Sequence, residues 1–420
     1  MATTYPIRTI TAQEFDALGE VASHAFLESL PAEALDRERA VVEYDRTVAA
    51  FDGEEMVGSA SAYSFQLTVP GAAVAAAGVT MVAVLPTHRR RGILTGLMDN
   101  LMADARRRGE PVAILFATEA AIYGRFGFGM AAPHQRLTIM RGEGVLTIGA
   151  AVQSGERCHP RLRIAEPTRV RKQLASVFDA ALAQRPGTLA RDERWWDYIL
   201  WDTAAIRPPG MSDLRCVLAE GDGGPRGYAL YRTRMGYGED SVAAGTMLVR
   251  ELVACDPEAT AALWTDLLTR DLVDEVVARM RPVDDPLLLM LADPRRARPA
   301  PADGLWVRLV DVPAALRQRR YAVATDLVIE VIDPVLSSND GRWRLRTLSH
   351  AADGTVDCER TDIPADVRLT VQALGAAYLG AASFGQLAGA GHLTELTPGS
   401  QAALAAAMSW DRAPHSGMMF

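Results

Sequence analysis

An arginine- and glycine-rich loop between a strand and a helix is the segment with the clearest chemistry. The strand that contains residues 82–84 stops at Pro86, and three consecutive arginines at 89–91 precede Gly92 and a helical pattern. Such a loop directs backbone N–H groups and the positive end of a helix dipole at an anion. The arginines could hold phosphate oxygens. The loop predicts a site for a phosphate-rich ligand, although an exposed arginine run would give the same pattern.

A tyrosine follows the next strand along the chain. Residues 117–129 read Ala-Thr-Glu-Ala-Ala-Ile-Tyr-Gly-Arg-Phe-Gly-Phe-Gly, which predicts a strand end, one helical turn and the start of another strand. Tyr123 has an ordinary pKa of about 10, so at neutral pH it carries a proton that it could donate to a leaving group. Packing of Tyr123 against Phe126 is the alternative, and Glu119 could simply cap the turn.

Together, the loop and the tyrosine segment resemble the GNAT superfamily of N-acetyltransferases and, more narrowly, its Eis family. Arg89-x-x-Gly92-x-Leu94 fits the coenzyme A loop of the superfamily, although the leucine departs from the usual glycine or alanine. The Eis family shares the pattern Val-Ala-Val-x-Pro-Thr-His-Arg-Arg-Arg-Gly, followed by Ile-Tyr-Gly-Arg-Phe-Gly-Phe-Gly, and it shares the terminal aromatic residue, here Phe420. The resemblance extends over all 420 residues, but only 79–129 and the last residue are specific.

The resemblance implies direct transfer of an acetyl group from acetyl-CoA to a primary amine in a ternary complex. It implies that Tyr123 protonates the departing thiolate and that the α-carboxylate of Phe420 is the general base. A backbone N–H near Val82 or Ala83 would stabilise the oxyanion. The cofactor-binding residues implied on the strand, loop, helix start and tyrosine turn are Val82, Ala83, Val84, Arg89, Arg90, Gly92, Ile93 and Glu119. His88 matches the family motif and is interpreted as structural.

The implied acceptors are small polycations such as aminoglycosides or polyamines. The first 55 residues hold twelve Asp or Glu and four Arg, a balance that favours a cationic partner and disfavours nucleic acid. A solvated helix face would give the same composition. Family members that use many aminoglycosides tend to have an acidic residue before the terminal phenylalanine, whereas this chain has Met419. The substrate range could therefore differ.

The elements that must position these residues alternate between helix and strand. Thr11-Ala-Gln-Glu14 predicts a capping box and a first helix up to Phe26, and a turn at Asp52-Gly53 joins two strands. Helical spacing predicts a helix over 258–276, and 366–375 reads as a strand. A Pro- and Arg-rich stretch at 293–304 lacks apolar periodicity and is interpreted as a linker.

These patterns predict an α/β protein with a mixed sheet and three units. The resemblance assigns 1–140 to an N-terminal GNAT domain, 141–302 to a degenerate GNAT-like domain and 303–420 to a sterol-carrier-protein-like domain. It also implies a homo-hexamer. Two alternatives remain open. A protein lysine or N-terminal acetyltransferase would have an open groove, and a lipid- or sterol-binding protein would use the C-terminal unit without catalysis.

Composition limits the remaining classes. No stretch of about twenty residues lacks charge and no signal peptide is evident, so we expect a cytoplasmic protein without a membrane span. Four scattered cysteines at 158, 216, 255 and 358, without CxxC spacing, predict neither disulfides nor a metal site. Trp195, Trp196 and Trp201 are interpreted as core and interface rather than as a substrate cage.

Overall fold

The computed structural model describes residues 4–27, 29, 31–147, 160–183, 185–347 and 355–420, so that Cys158 lies outside the described residues. The strands are β1 Ile7–Thr9, β2 Thr47–Asp52, β3 Glu55–Val69, β4 Ala72–Val84, β5 Val112–Phe116, β6 Gly129–Met140, β7 Arg161–Ala165, β8 Arg215–Gly221, β9 Gly224–Arg234, β10 Gly245–Ala254, β11 Val273–Pro282, β12 Ala300–Leu309, β13 Thr325–Ile332, β14 Gly341–Thr347, β15 Val356–Arg360, β16 Val367–Thr370 and β17 Leu393–Glu395.

The helices carry the apolar faces that cover these strands. They are α1 Phe15–Phe26, α2 Ala32–Arg39, α3 Ile93–Arg107, α4 Ala120–Tyr123, α5 Arg171–Leu182, α6 Glu193–Leu200, α7 Pro257–Thr269, α8 Leu287–Met290, α9 Val312–Gln318, α10 Val371–Ala377, α11 Phe384–Gly389 and α12 Ser400–Met408. At the start of α1, the N–H of Thr11 donates to Glu14 Oε2 at 2.8 Å, as the predicted capping box requires.

The two predicted GNAT units share one sheet. In the described part of the chain, twelve strands lie in the order β1-β2-β3-β4-β5-β12-β6-β11-β10-β9-β8-β7. Most neighbours are antiparallel, but β4 pairs with β5 in parallel, and β10 pairs with β11 in parallel. The helices α3 and α7 are the respective crossovers between those parallel strands. This mixed α/β architecture confirms the predicted fold class.

The segment 293–304 is not a linker, so that prediction was wrong. Pro294–Ala297 forms a 3₁₀ turn, and β12 begins at Ala300 and pairs with β6 on one side. Pro301 is tolerated because pairing with β5 on the other side starts only at Leu305, so no ladder hydrogen bond is lost there. The division of the chain at 140 and 302 stays a prediction.

The C-terminal unit has a separate five-stranded sheet in the order β15-β14-β13-β16-β17. Helix α10 joins this unit to the large sheet at two glycines. An added Cβ at Gly129 would lie 2.1 Å from the carbonyl oxygen of Gln372, and one at Gly375 would lie 2.3 Å from that of Val307. Only glycine permits such close backbone approach. The strand predicted at 366–375 is confirmed only for β16. The prediction was wrong for the rest of the segment, where the chain forms α10.

Candidate active site

A widening gap between two parallel strands forms the floor of the site. Strand β5 pairs with β4 only from Ala76 to Gly78, whereas β4 continues for six more residues beside β3. The register with β3 shifts in this extension, where Met81 has a φ of 50°. A bulge re-aims backbone groups, and positive φ at a non-glycine residue is a strained conformation that concentrates at functional sites. The extension leaves the β5-facing edge of β4 without a strand partner.

The arginine loop leads directly into the N-terminus of α3. Two residues have positive φ, Arg90 at 64° and Gly92 at 78°, and these turns bring the chain around into the helix. Gly92 is the N-cap and has no side chain that could accept from the first N–H groups. The start of this 15-residue helix is thus open to an external anion.

A cleft of about 900 Å³ joins the strand extension, the loop and the tyrosine turn. All of the predicted cofactor-binding residues line this cleft, as does Tyr123; they are Val82, Ala83, Val84, Arg89, Arg90, Gly92, Ile93 and Glu119. Arg91 is not in the lining, because it donates to the hydroxyl of Tyr5 at 2.6 Å.

His88 lies in the cleft wall with its ring fixed by three neighbours. Its Nδ1 is 2.8 Å from the Thr87 hydroxyl, its Nε2 is 3.3 Å from Asp52, and its ring meets Tyr5 edge to face. Both ring nitrogens are therefore occupied. This arrangement agrees with the structural role expected for His88.

Tyr123 reaches the cleft from the short helix α4. Its side chain is buried, and its ring meets Phe128 edge to face at 6.1 Å between centroids. Burial raises the pKa of the phenol above its ordinary value, and the charge of Glu119 raises it further. The phenol therefore stays protonated at neutral pH. The simpler interpretation, packing against Phe126 alone, does not account for its position in the cleft lining.

Phe420 lies outside the lining of the cleft, on the face of the sheet opposite α3. Its ring packs against Phe65 at 4.8 Å and against Phe116 at 5.6 Å between centroids. An added Cβ at Gly78 would come within 3.1 Å of the Phe420 ring. Gly78 is the last residue of β4 that pairs with β5, so the Phe420 ring lies where the gap between these strands opens.

An aromatic cluster from both GNAT units surrounds this ring. Tyr63 lies 6.4 Å from Phe420, and Trp195 packs against both Tyr63 and Phe65. Trp195 and Trp196 are buried in the core, as expected, whereas Trp201 is half-buried.

Glu38 is the functional candidate that the sequence did not reveal. It accepts hydrogen bonds from the hydroxyls of Tyr198 at 2.6 Å and Tyr63 at 3.3 Å. Burial raises the pKa of the Glu38 carboxyl and outweighs the hydrogen bond from Tyr198 and the charge of Arg37, which both lower it. Its partners lie 25 and 160 residues away along the chain, so no local pattern could have identified the group.

Several other acidic residues of the first 55 are neutralised locally. Glu14 pairs with Arg8, Asp16 and Asp36 both pair with Arg39, and Asp45 pairs with Arg108. These four carboxylates of the twelve therefore belong to solvated ion pairs. Solvation at the surface, the alternative explanation of the acidic composition, applies to these residues but not to Glu38.

The described residues contain no cluster of three or more His, Cys, Asp or Glu side chains that could hold a metal ion. Within the same ranges, Cys216, Cys255 and Cys358 are free thiols. None of the helices in these ranges has the length and apolar character needed to cross a bilayer.

The fold and the cleft define an acetyl-CoA-dependent N-acetyltransferase of the GNAT type. Residues 6–131 match an acetyltransferase (GNAT) domain family, residues 187–309 match a second one, and residues 312–417 match a sterol carrier protein domain family. Both GNAT matches and the order of the three units confirm what the sequence motifs predicted.

Whole-chain relatives narrow the assignment. The chain is 41% identical over 389 residues to an uncharacterised N-acetyltransferase of Streptomyces coelicolor. The aligned residues cover 91% of this chain and 92% of that protein. It is 34% identical over 389 residues to the N-acetyltransferase Eis of Mycobacterium tuberculosis, with 91% of each chain covered. The crystal structure of Eis1 from Mycobacterium abscessus superposes with a TM-score of 0.82 at 34% identity, covering 99% of this chain and 100% of that one. The chain belongs to the Eis family of N-acetyltransferases.

The raised pKa of Glu38 predicts an effect on stability that can be measured without substrate. A carboxyl whose folded-state pKa exceeds its unfolded value stabilises the protein below the unfolded pKa, and this contribution is lost as pH rises through the folded pKa. As the pH rises above about 4, the ordinary pKa of a glutamate, the wild type should therefore lose urea resistance relative to Glu38→Gln. Glu33→Gln, exposed on the same helix, is the control. Parallel pH profiles for wild type and Glu38→Gln would contradict the assignment.

Proposed function

We propose that the protein acetylates primary amines of small polycationic acceptors such as aminoglycosides, with Tyr123 as general acid and the Phe420 carboxylate as general base. The observation that carries the proposal is the meeting of both ends of this chemistry at one strand gap. The cleft with Tyr123 lies along the extension of β4, and Phe420 packs at the residue where β4 and β5 separate.

The donor half of the reaction follows from the cleft. The N–H groups at the start of α3, with Arg89 and Arg90, are placed to receive the pyrophosphate of coenzyme A. The unpaired edge of β4 at Val82 and Val84 can then hydrogen-bond with the pantetheine arm. An N–H group near Ala83 would stabilise the oxyanion that forms when the amine adds to the thioester carbonyl.

The two proton transfers are assigned to the carboxylate of Phe420 and the hydroxyl of Tyr123. As the amine attacks, its proton passes to the carboxylate of Phe420, directly or through water. The tetrahedral intermediate then collapses, the carbon–sulfur bond breaks, and the Tyr123 hydroxyl donates its proton to the thiolate. A free α-carboxylate is a weak base, with an ordinary pKa near 3.5, so a low-dielectric neighbourhood is needed. The Phe65 and Phe116 rings that pack on the Phe420 side chain support such a neighbourhood for the adjoining carboxylate.

The acceptor side is less acidic than composition alone suggests. Glu38 is linked through Tyr63 to the Phe420 ring and is the carboxyl we assign to holding an ammonium group of the acceptor. Met419 is exposed and offers no charge. We expect a narrower acceptor range than an acidic residue at that position would permit. A homo-hexamer remains a proposal that rests on the family resemblance, and the cytoplasmic location remains a proposal as well.

The reaction can be tested by release of free thiol from acetyl-CoA with aminoglycosides, polyamines, arylamines and lysine peptides. We expect turnover with the polycations, and Tyr123→Phe should lower kcat about 100-fold, because the thiolate would leave unprotonated. The KM for acetyl-CoA should stay near the wild-type value. Turnover with lysine peptides alone would favour the protein acetyltransferase alternative, and no turnover with any acceptor would contradict the proposal.

The position of the C-terminal carboxylate can be tested by lengthening the chain. Two glycines appended after Phe420 keep the aromatic ring but move the carboxylate away, so turnover should fall by about 100-fold or more. Met419→Leu keeps the carboxylate in place and should retain activity, because Met419 is exposed. Full activity in the lengthened chain would exclude the carboxylate as base.

The three loop arginines should differ in their effect on the donor. Arg89→Gln and Arg90→Gln should each raise the KM for acetyl-CoA by about tenfold, because each removes a charged contact with phosphate. Arg91→Gln is the matched control, since Arg91 bonds Tyr5 instead of lining the cleft. Equal increases in the KM for acetyl-CoA with all three substitutions would indicate a general effect of positive charge and would contradict specific phosphate contacts by Arg89 and Arg90.

A further inference from the structure

The central unit contains a second strand gap with the same construction as the first. Strand β11 pairs with β10 in parallel between Gly245 and Val249, and β10 then continues to Ala254 without it. The register of β10 against β9 shifts at Arg250, as the register of β4 against β3 shifts near Met81. Helix α7 connects β10 to β11, as α3 connects β4 to β5.

This second gap is closed to coenzyme A at its phosphate end. The N-cap of α7 is Asp256, whose carboxylate accepts from the N–H of Ala259 at 2.9 Å, and Pro257 at the next position has no N–H to offer. Arg226 donates to the same carboxylate at 2.8 Å. A protein carboxylate therefore already occupies the position that an external phosphate takes at an open helix start.

What remains of the gap is a small cavity of about 130 Å³, against about 900 Å³ for the catalytic cleft. Part of its wall is the C-terminal tail, through Arg412, His415, Gly417 and Met418. The opposite wall is β10 from Arg250 to Ala254. The space admits a small ion and excludes a nucleotide.

The cavity has more positive charge than its own carboxylates can balance. Three of its arginines have ion-pair partners: Arg185 with Asp284, Arg191 with Glu251 and Arg281 with Asp285. Arg250 has no hydrogen bond or ion pair with any described residue, and the only described partner of Arg412 is the carbonyl oxygen of Ala181, at 3.3 Å. Two guanidinium groups of the cavity lining, those of the half-buried Arg250 and the exposed Arg412, thus have no carboxylate partner among the described residues.

Burial and the charge of Arg37 lower the pKa of Arg250 to about 10, so at neutral pH this side chain remains a cation. His415 adds an unsatisfied polar atom. It is 9% exposed, and its Nδ1 has no hydrogen-bond partner in the described ranges. Burial and the neighbouring arginines lower its pKa, so it stays neutral and can donate one hydrogen bond.

We propose that this cavity binds a small oxyanion, a phosphate or a compact carboxylate, through Arg250, Arg412 and His415. A half-buried cation without a counter-ion, such as Arg250, is costly, and an anion of matching size removes that cost. His415, Gly417 and Met418 lie in the cavity wall, and Met418 is two residues before Phe420. A bound anion therefore also holds the tail that carries the C-terminal carboxylate. The binding of the anion stands without the proposed function; the importance of holding the tail for catalysis rests on it.

Calorimetric titration tests the site directly. Inorganic phosphate and malonate are titrated in separate arms with coenzyme A at saturation, so that the catalytic loop cannot contribute. We expect one ion per chain, and about tenfold weaker binding in Arg250→Met and in Arg412→Gln. Arg234→Gln, an exposed arginine of the same unit, should bind as the wild type does. Absence of binding in both arms overturns the proposal, as does binding that Arg89→Gln removes and Arg250→Met leaves unchanged.

Thermal unfolding provides a readout that is independent of turnover. In buffer without oxyanions, Arg250→Met should melt above the wild type, because it removes a desolvated charge without a counter-ion. Phosphate should then raise the Tm of the wild type but not that of Arg250→Met. A wild-type Tm that phosphate leaves unchanged overturns the site. Failure of every amine acceptor would leave these results unaffected, so the two proposals fail separately.

Discussion

The structure depends on the insertion of β12 between β5 and β6. This strand lies at the end of the second GNAT match, residues 187–309, yet it pairs with the last strands of the first unit. Because β6 also pairs with β11, the insertion makes both units one sheet. It also fixes the C-terminal unit, since Arg308 on β12 pairs with Asp333 at 2.6 Å and both side chains are fully buried. A tail that follows a unit anchored in this way can return to the gap between β4 and β5 with little conformational entropy to lose.

Sequence motifs predicted the local parts of this arrangement and missed the non-local ones. The strand, loop and helix around Gly92 were predictable because proline, glycine and apolar spacing act within a few residues. The stretch 258–276 misled because its apolar spacing fits a helix throughout, whereas the helix ends at Thr269 and β11 begins at Val273. Positive φ at Leu272, in the turn between them, has no glycine to signal it. The insertion of β12 was not predictable, since its two partner strands lie more than 160 residues earlier.

The candidate site shows the same limit in electrostatic terms. The cleft residues that were predicted come from two short segments of one unit, so a motif could identify them together, whereas Ala25, Phe26 and Leu27 at the end of α1 also line the cleft and were missed. Glu38 acquires its raised pKa only when α6 of the second unit places Tyr198 against it and removes water. Counting charges treated it as equal to the acidic residues beside it, although several of those are bound to arginine in solvent. Desolvation, which composition cannot report, separates the buried carboxyl of Glu38 from the solvated ones.

The two strand gaps of the sheet show how one architecture supports different chemistry. Each gap arises where two parallel strands separate beside a crossover helix, and each leaves a strand edge unpaired. Glycine at the start of α3 leaves its N–H groups free for a ligand, whereas Asp256 at the start of α7 satisfies them from within the chain. The first gap therefore keeps an open phosphate end, and the second keeps only a small cationic cavity that the C-terminal tail helps to enclose. The wall of the second gap is thus built partly from the segment that leads to Phe420, whose ring packs at Gly78, where the first gap opens.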